Sequence, residues 1–319
     1  MALVKKILTV SLALGALGAL ASLGACGRDP DAFYRRGNLA YSRGETMKAI
    51  ELYTRAVLLK KKFPEALTSR GLAYERIKDT GKAENDYKKA IDMDPSYAPP
   101  YNNLGALYLD SGNYAEARKY IDRALDKDPR NPLAMLNRGI VALKTKDPVV
   151  AVNYLSRAVE IKPDLALAWF QRAMAYGELK QWQQAVYDMD EFIKLQPRVA
   201  QAWFDRGRLK FRSGDTVGAI ADFNKAVELR PGVSAYHYWR GVAVYRTGYG
   251  EGALEDAVRA YTLDNGNARA RVLAGDIRAA AGDLSGAVEE YEYAAEADPA
   301  HAEFYARRAE ALFKKGTRR

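Results

Sequence analysis

From Pro30 onward the chain alternates apolar and polar positions with a spacing near 3.6, interrupted by short polar stretches about every dozen residues. Between residues 98 and 131, Tyr101, Leu104 and Tyr108 fall on one face of a first helix. Asp110-Ser111-Gly112-Asn113 then breaks it, and Ala117, Ile121, Ala124 and Leu125 make the apolar stripe of a second helix. The pattern repeats every 34 residues without an insertion, so each unit reads as two amphipathic helices joined by a turn. One such unit cannot bury its stripe alone. Stacked neighbours bury it for one another, which predicts a solenoid whose stability resides in nearest-neighbour interfaces.

The columns of the repeat are specific. Small residues recur at Gly37, Gly71, Gly105, Gly139, Ala173, Gly207, Gly241, Gly275 and Ala309. Alanine follows twelve residues later at Ala49, Ala83, Ala117, Ala151, Ala185, Ala219, Ala253 and Ala287. A second alanine column runs from Ala56 to Ala294 and is broken only by Phe192. Proline closes most units, at Pro95, Pro129, Pro163, Pro197, Pro231 and Pro299, where it cannot continue a helix. Small side chains let paired helices approach closely, because larger ones would wedge the backbones apart.

These columns resemble the tetratricopeptide repeat, a helix–turn–helix unit of 34 residues with small, Ala, Ala and Pro at the same offsets. The resemblance implies an all-α fold: an α-solenoid of eight repeats starting at residues 30, 64, 98, 132, 166, 200, 234 and 268, wound as a right-handed superhelix. Residues 302–319 are then expected to form a polar capping helix and tail.

The chain's beginning departs from this pattern. Lys5 and Lys6 precede an uncharged run, mostly Leu, Ala and Gly, from Ile7 to Cys26. A positive head before an apolar run describes an export signal. The run ends in Leu23-Gly24-Ala25-Cys26, which resembles the bacterial lipobox. The resemblance implies a signal peptide at 1–25 and diacylglyceryl and fatty-acyl groups (palmitate among them) on Cys26, with 26–29 a short tether. The expected location is the cell envelope, attached to the outer membrane and facing the periplasm, since Gly27 stands where an inner-membrane retention signal has Asp.

Composition narrows the chemistry. One cysteine excludes an intramolecular disulfide or a cysteine-built zinc site, and two histidines, His237 and His301, leave no material for a histidine-rich metal centre. No metal or other cofactor is expected. The formal charge of +9 falls to +7 after removal of residues 1–25, which is no nucleic-acid signature, and no nucleic-acid partner is expected. There is no Gly-rich phosphate loop and no nucleophile–base spacing, so the chain reads as a non-enzyme with no catalytic residue.

One column invites a choice between structure and binding. Arginine stands before the small residue at Arg36, Arg70, Arg138, Arg172, Arg206, Arg240 and Arg308. Sixteen residues after four of them come Asp86, Asp188, Asp222 and Asp256, which predicts the structural pairs Arg70–Asp86, Arg172–Asp188, Arg206–Asp222 and Arg240–Asp256. Arg36 and Arg138, facing Leu52 and Tyr154, are expected to be free. His237 is expected to be a core or rim residue.

In the family the first helices line a concave groove. Carried onto this chain, that implies a partner-binding strip of Leu136, Ile140, Leu143, Phe170, Met174, Phe204, Arg208, Phe211, Arg212, Tyr238, Tyr245 and Arg246. Aromatic and arginine anchors suit a protein or peptide ligand. The conserved lysine of the carboxylate clamp in chaperone adaptors is not reproduced, because Tyr34 stands before Asn38. The expected function is therefore a lipid-anchored scaffold that recruits or positions envelope partners, similar to the repeat lipoproteins of secretin or pilus assembly. The alternative is a cell-wall glycan binder or a regulator of envelope hydrolases, with Trp169, Trp203 and Trp239 as stacking platforms. Lys60-Lys61-Lys62, near the anchored end, reads as a solvated helix terminus or as a contact for anionic lipid. Partner identity and oligomeric state stay open.

Overall fold

The computed structural model describes residues 29–316, with side chains described through residue 312. Cys26 and the apolar run before it lie outside the described residues. Among those described are seventeen α-helices, one short 3₁₀ turn and no strand, an all-α helical-repeat architecture. In chain order the helices are α1 (Pro30–Ser42), α2 (Thr46–Leu59), α3 (Pro64–Arg76), α4 (Thr80–Met93), α5 (Ala98–Asp110), α6 (Tyr114–Lys127), α7 (Pro132–Lys144), α8 (Pro148–Ile161) and α9 (Ala166–Glu178). There follow α10 (Trp182–Leu195), α11 (Ala200–Ser213), α12 (Thr216–Leu229), α13 (Ser234–Arg246), α14 (Gly250–Leu263), α15 (Ala268–Ala280), α16 (Leu284–Ala297) and α17 (Ala302–Gly316). No helix of the described residues is long and apolar enough to cross a membrane.

The described residues divide into two compact units, the first ending at Ala175 and the second beginning at Tyr176. In the first, hairpins α1–α2, α3–α4, α5–α6 and α7–α8 stack in order, each second helix against the next first helix. The second unit repeats the arrangement with α11–α12, α13–α14 and α15–α16, and α17 closes on α16. In both units neighbouring first helices also touch, as α3 does with α5 and α11 with α13.

Local chemistry explains the element boundaries. Proline opens α1, α3 and α7 at a position whose N–H needs no helical partner. Five of the eight second helices are capped by side chains that accept from the backbone three residues on: Asp79 from Lys82, Asn113 from Glu116, Asp147 from Val150, Asp215 from Gly218 and Asp283 from Gly286. The tight turn between paired helices needs one left-handed residue in every repeat. Glycine takes that place at 44, 112, 214, 248 and 282, and lysine takes it at Lys78, Lys146 and Lys180, with φ between 57° and 65°.

The small-residue column has a visible cause. A Cβ on Gly71 would lie 2.5 Å from the Tyr87 ring, and one on Gly139 would lie 2.5 Å from Leu155 Cγ. Gly37, Gly71, Gly105, Gly139, Gly207 and Gly275 each receive the large side chain sixteen residues on, whereas Gly241, with Ala257 at that place, meets the Ala253 carbonyl and Leu273. Tyr87 and Leu155 are both fully buried. The small column and the bulky column are therefore two halves of one knob-in-hole contact.

Candidate functional site

The arginine column is held from two sides. Arg70 donates through Nε and Nη2 to the two oxygens of Asp86, both at 2.7 Å, and through Nη1 to Thr54 at 3.0 Å. Arg206 likewise grips Asp222 through Nε at 2.8 Å and reaches Asp190 at 2.7 Å. Arg240 holds Asp256 at 2.6 and 2.8 Å and Asn224 at 3.0 Å. Arg172 donates to Ser156 at 3.1 Å, and Asp188 is fully buried. The acceptor sixteen residues before each arginine sits on the second helix of the preceding repeat. One guanidinium therefore ties the second helices of two successive hairpins. Burial alone would lower Arg206, but the Asp222 and Asp190 carboxylates raise it above its ordinary range. For Arg240 the bond to Asp256 is the leading cause of the same rise.

The expectation that Arg138 is free does not hold. Its Nε donates to Asp122 at 2.7 Å, its guanidinium lies 5.1 Å from the centre of the Tyr154 ring, and its side chain is only 8% exposed. The backward acceptor column (Thr54, Asp122, Ser156, Asp190 and Asn224) was readable in the sequence at the same spacing reversed. Arg36 is exposed, 5.9 Å from the Phe33 ring. In the last repeat, where Ala274 replaces the arginine, the acid at the matching place is Glu290. It is buried and is served instead by Arg271 at 3.2 Å, Arg278 at 3.6 Å and the Tyr261 hydroxyl at 3.1 Å.

The proposed stacking tryptophans are largely used by the chain itself. The indole N–H of Trp169 donates to the Pro163 carbonyl at 2.8 Å, and that of Trp203 to the Pro197 carbonyl at 2.9 Å. Their ring faces carry Arg172 at 4.9 Å and Arg206 at 4.7 Å. His237 occupies the equivalent position and is buried, with Nε2 2.9 Å from the Pro231 carbonyl and Nδ1 3.3 Å from Asp256.

The strip expected to receive a partner divides by burial. Leu136 and Phe204 belong to the core: Leu136 is 1% exposed, and Phe204 packs between Tyr236 (ring centres 4.8 Å apart) and Phe223 (5.8 Å). Neither is available to a ligand, because neighbouring first helices close over these positions. Ile140, Leu143 and Phe170 are half-buried against the core of the first unit, and Met174 is half-buried as well. In the second unit Phe211, Tyr238 and Tyr245 are half-buried, while Arg212 and Arg246 are exposed.

The second-unit residues come together around Trp239. Phe211 meets it edge-on at 6.0 Å and Tyr238 at 5.8 Å. Arg208 lies 5.3 Å from the Trp239 ring, and Arg246 lies 5.1 Å from the Phe211 ring. The Nε of Arg208 is buried without an acceptor. A shallow cleft of about 420 Å³ adjoins the cluster, lined by Tyr238, Trp239, Asn267, Arg269 and Asp298. Burial raises the Tyr238 hydroxyl, which Arg269 partly opposes, so the phenol stays a neutral donor. The described residues hold no cluster of His, Cys, Asp and Glu fit for a metal ion.

The tetratricopeptide repeat family matches residues 34–98, 102–166, 170–234, 219–269 and 272–317. The chain belongs to that family, whose members generally mediate protein–protein interaction on a fold that is generally a non-enzymatic scaffold. Among solved structures it is similar to pilF of Pseudomonas aeruginosa, with 21% identity over 66% of this chain and 96% of that one and a TM-score of 0.60. It is also similar to a tetratricopeptide repeat protein of Parabacteroides merdae (17% identity, 78% and 98% covered, TM-score 0.52) and to MamA of Desulfovibrio magneticus (21%, 53% and 96%, TM-score 0.51). At such identities the likeness is one of fold. Comparison with curated proteins gives no match.

Proposed function

We propose that the chain is a lipid-anchored scaffold of a bacterial cell envelope, held by Cys26 at the periplasmic face of the outer membrane, that positions a protein partner. Secretin or pilus assembly is the kind of work such a scaffold suits. The observation that carries the partner-binding half is the cluster of Phe211, Tyr238 and Trp239 flanked by Arg208, Arg212 and Arg246. Half-buried rings beside the exposed Arg212 and Arg246, with Arg208 3.8 Å from Asp205, suit a segment presenting apolar and acidic groups together. The anchoring half is supported by the sequence Leu23-Gly24-Ala25-Cys26 alone.

Two experiments test the halves separately. A photo-reactive residue at position 245 should crosslink a partner in cells. Phe211→Ala combined with Arg212→Glu and Arg246→Glu should abolish that adduct while the helical circular dichroism stays unchanged; an undiminished adduct refutes the site. Metabolic labelling with a fatty acid should mark the chain, and Cys26→Ser should remove the label. The glycan-binding alternative gains no support, because the Trp169 and Trp203 rings already carry arginines of their own chain.

A further inference from the structure

The first repeat differs from the others at its outer corner. Leu58 is 78% exposed and Leu59 44% exposed at the end of α2, followed by the exposed Lys61 and Lys62. At the place of Leu58 the later repeats carry Asp92, Asp126, Glu160, Lys194, Glu228, Thr262 or Glu296, all exposed and none apolar. Where Lys61 stands, six of them carry proline. An exposed leucine that is hydrophilic in every other copy of the same helix is not required by repeat packing. Residues 30–63 also hold eight Lys and Arg against three acids, whereas residues 268–301 hold three against seven.

The corner lies beside the chain's entry into the fold. Lys60 reaches back to Asp31 at 3.2 Å and lies 4.1 Å above the Phe63 ring, which fixes the loop and leaves Lys61 and Lys62 outward. Only Gly27 and Arg28 separate Cys26 from Asp29. Three residue steps span at most about 11 Å when extended, so a lipid on Cys26 keeps the corner within reach of the headgroups.

We infer that Leu58, Leu59, Lys61 and Lys62 form a docking face for the anionic bilayer surface to which the chain is tethered. The leucines enter the interfacial layer and the lysines meet lipid phosphates, so that tether and face together orient the first repeat. The inference rests on the reading that Cys26 holds the chain at a membrane.

The test places an environment-sensitive dye on Leu58→Cys in the full chain, reconstituted in phosphatidylcholine vesicles with and without phosphatidylglycerol and containing spin-labelled lipid. The dye should be quenched in the anionic vesicles, and a dye on Val217→Cys, whose parent residue is 77% exposed, should not be. Lys61→Gln with Lys62→Gln should lower the docking equilibrium constant, read from the quenched and unquenched fractions, roughly 30-fold, two lysines at their usual strength near such a surface. Quenching at 58 no greater than at 217, or equal in both kinds of vesicle, overturns the inference. The mass of acyl groups on Cys26 decides the anchoring reading independently. If they are absent, the same measurement on the Cys26→Ser chain, held by its apolar run from Ile7 to Ala25, decides the docking face.

Discussion

The repeats at 64–97 and 132–165 use the same arginine in different ways. Arg70 is clasped by the buried Asp86, which is 2% exposed and has two bonds to it. Arg138 finds Tyr154 at the matching place, lies over its ring, and turns Nε toward Asp122, which is 40% exposed. Both guanidinium groups are satisfied. What differs is whether a carboxylate has been taken out of water. A column of identical residues therefore does not carry equal energy, because the cost of breaking a pair is set by the partner left behind.

Removing the two arginines should separate these cases most widely. Arg70→Ala strands the Asp86 carboxylate in the core and should cost about 3–5 kcal/mol in chemical unfolding. Arg138→Ala leaves Asp122 in water with Arg118 3.4 Å away, and about 1 kcal/mol is expected. Arg206→Ala should fall between them, since Lys210 stands 3.0 Å from Asp222. Replacing both members, Arg70→Met with Asp86→Leu, should recover most of the first loss. Equal losses for Arg70→Ala and Arg138→Ala would remove the distinction.

The same two repeats differ in what fills the small-residue notch. Gly71→Ala should cost about 1–3 kcal/mol, because the Tyr87 ring it meets is held at its far end by a hydrogen bond to Glu75. Gly139→Ala meets Leu155 Cγ at 2.5 Å, in a side chain that no hydrogen bond pins at its far end, so a smaller loss is expected and helix propensity offsets part of it. Thermal unfolding of the two variants ranks them. The smallest effect should come from the turns. Lys78→Gly and Lys146→Gly each relieve a left-handed lysine and should stabilise by about 0.5–1 kcal/mol. A loss of stability in either would show that the lysine side chain contributes more than its backbone costs.

Much of the repeat was legible because its columns obey local rules. The polar turn after Asp110, the prolines at unit ends and the small residues every 34 positions each answer a backbone requirement that one hairpin already imposes. The forward Arg–Asp spacing was visible for the same reason, since Arg70–Asp86, Arg206–Asp222 and Arg240–Asp256 each lie within one hairpin. The backward contacts to Thr54, Asp190 and Asn224 pass between hairpins, and the forward pattern alone left Arg138 with no visible partner. Glu290 escaped notice because its arginines come from the first helix at other offsets.

The partner strip was the least legible part. Periodicity places Leu136, Phe204 and Phe211 on the same kind of face, yet the first two are buried and the third is only half-buried. Burial there depends on how closely the next first helix approaches, which no spacing within one helix encodes. Trp239 gathers Phe211, Tyr238 and Arg208 for the same reason.

By itself, the sequence determined the helical hairpin, its period, its turns and the pairs within it, because hydrogen bonding, φ restrictions and side-chain periodicity act over a few turns of chain. Only the tertiary structure decided which arginine is clasped and which lies on a ring, which aromatic is core and which remains at the surface, and that Leu58 stands in water beside the chain's entry. Those outcomes depend on surface removed from water between hairpins, and that area exists only once neighbours have packed.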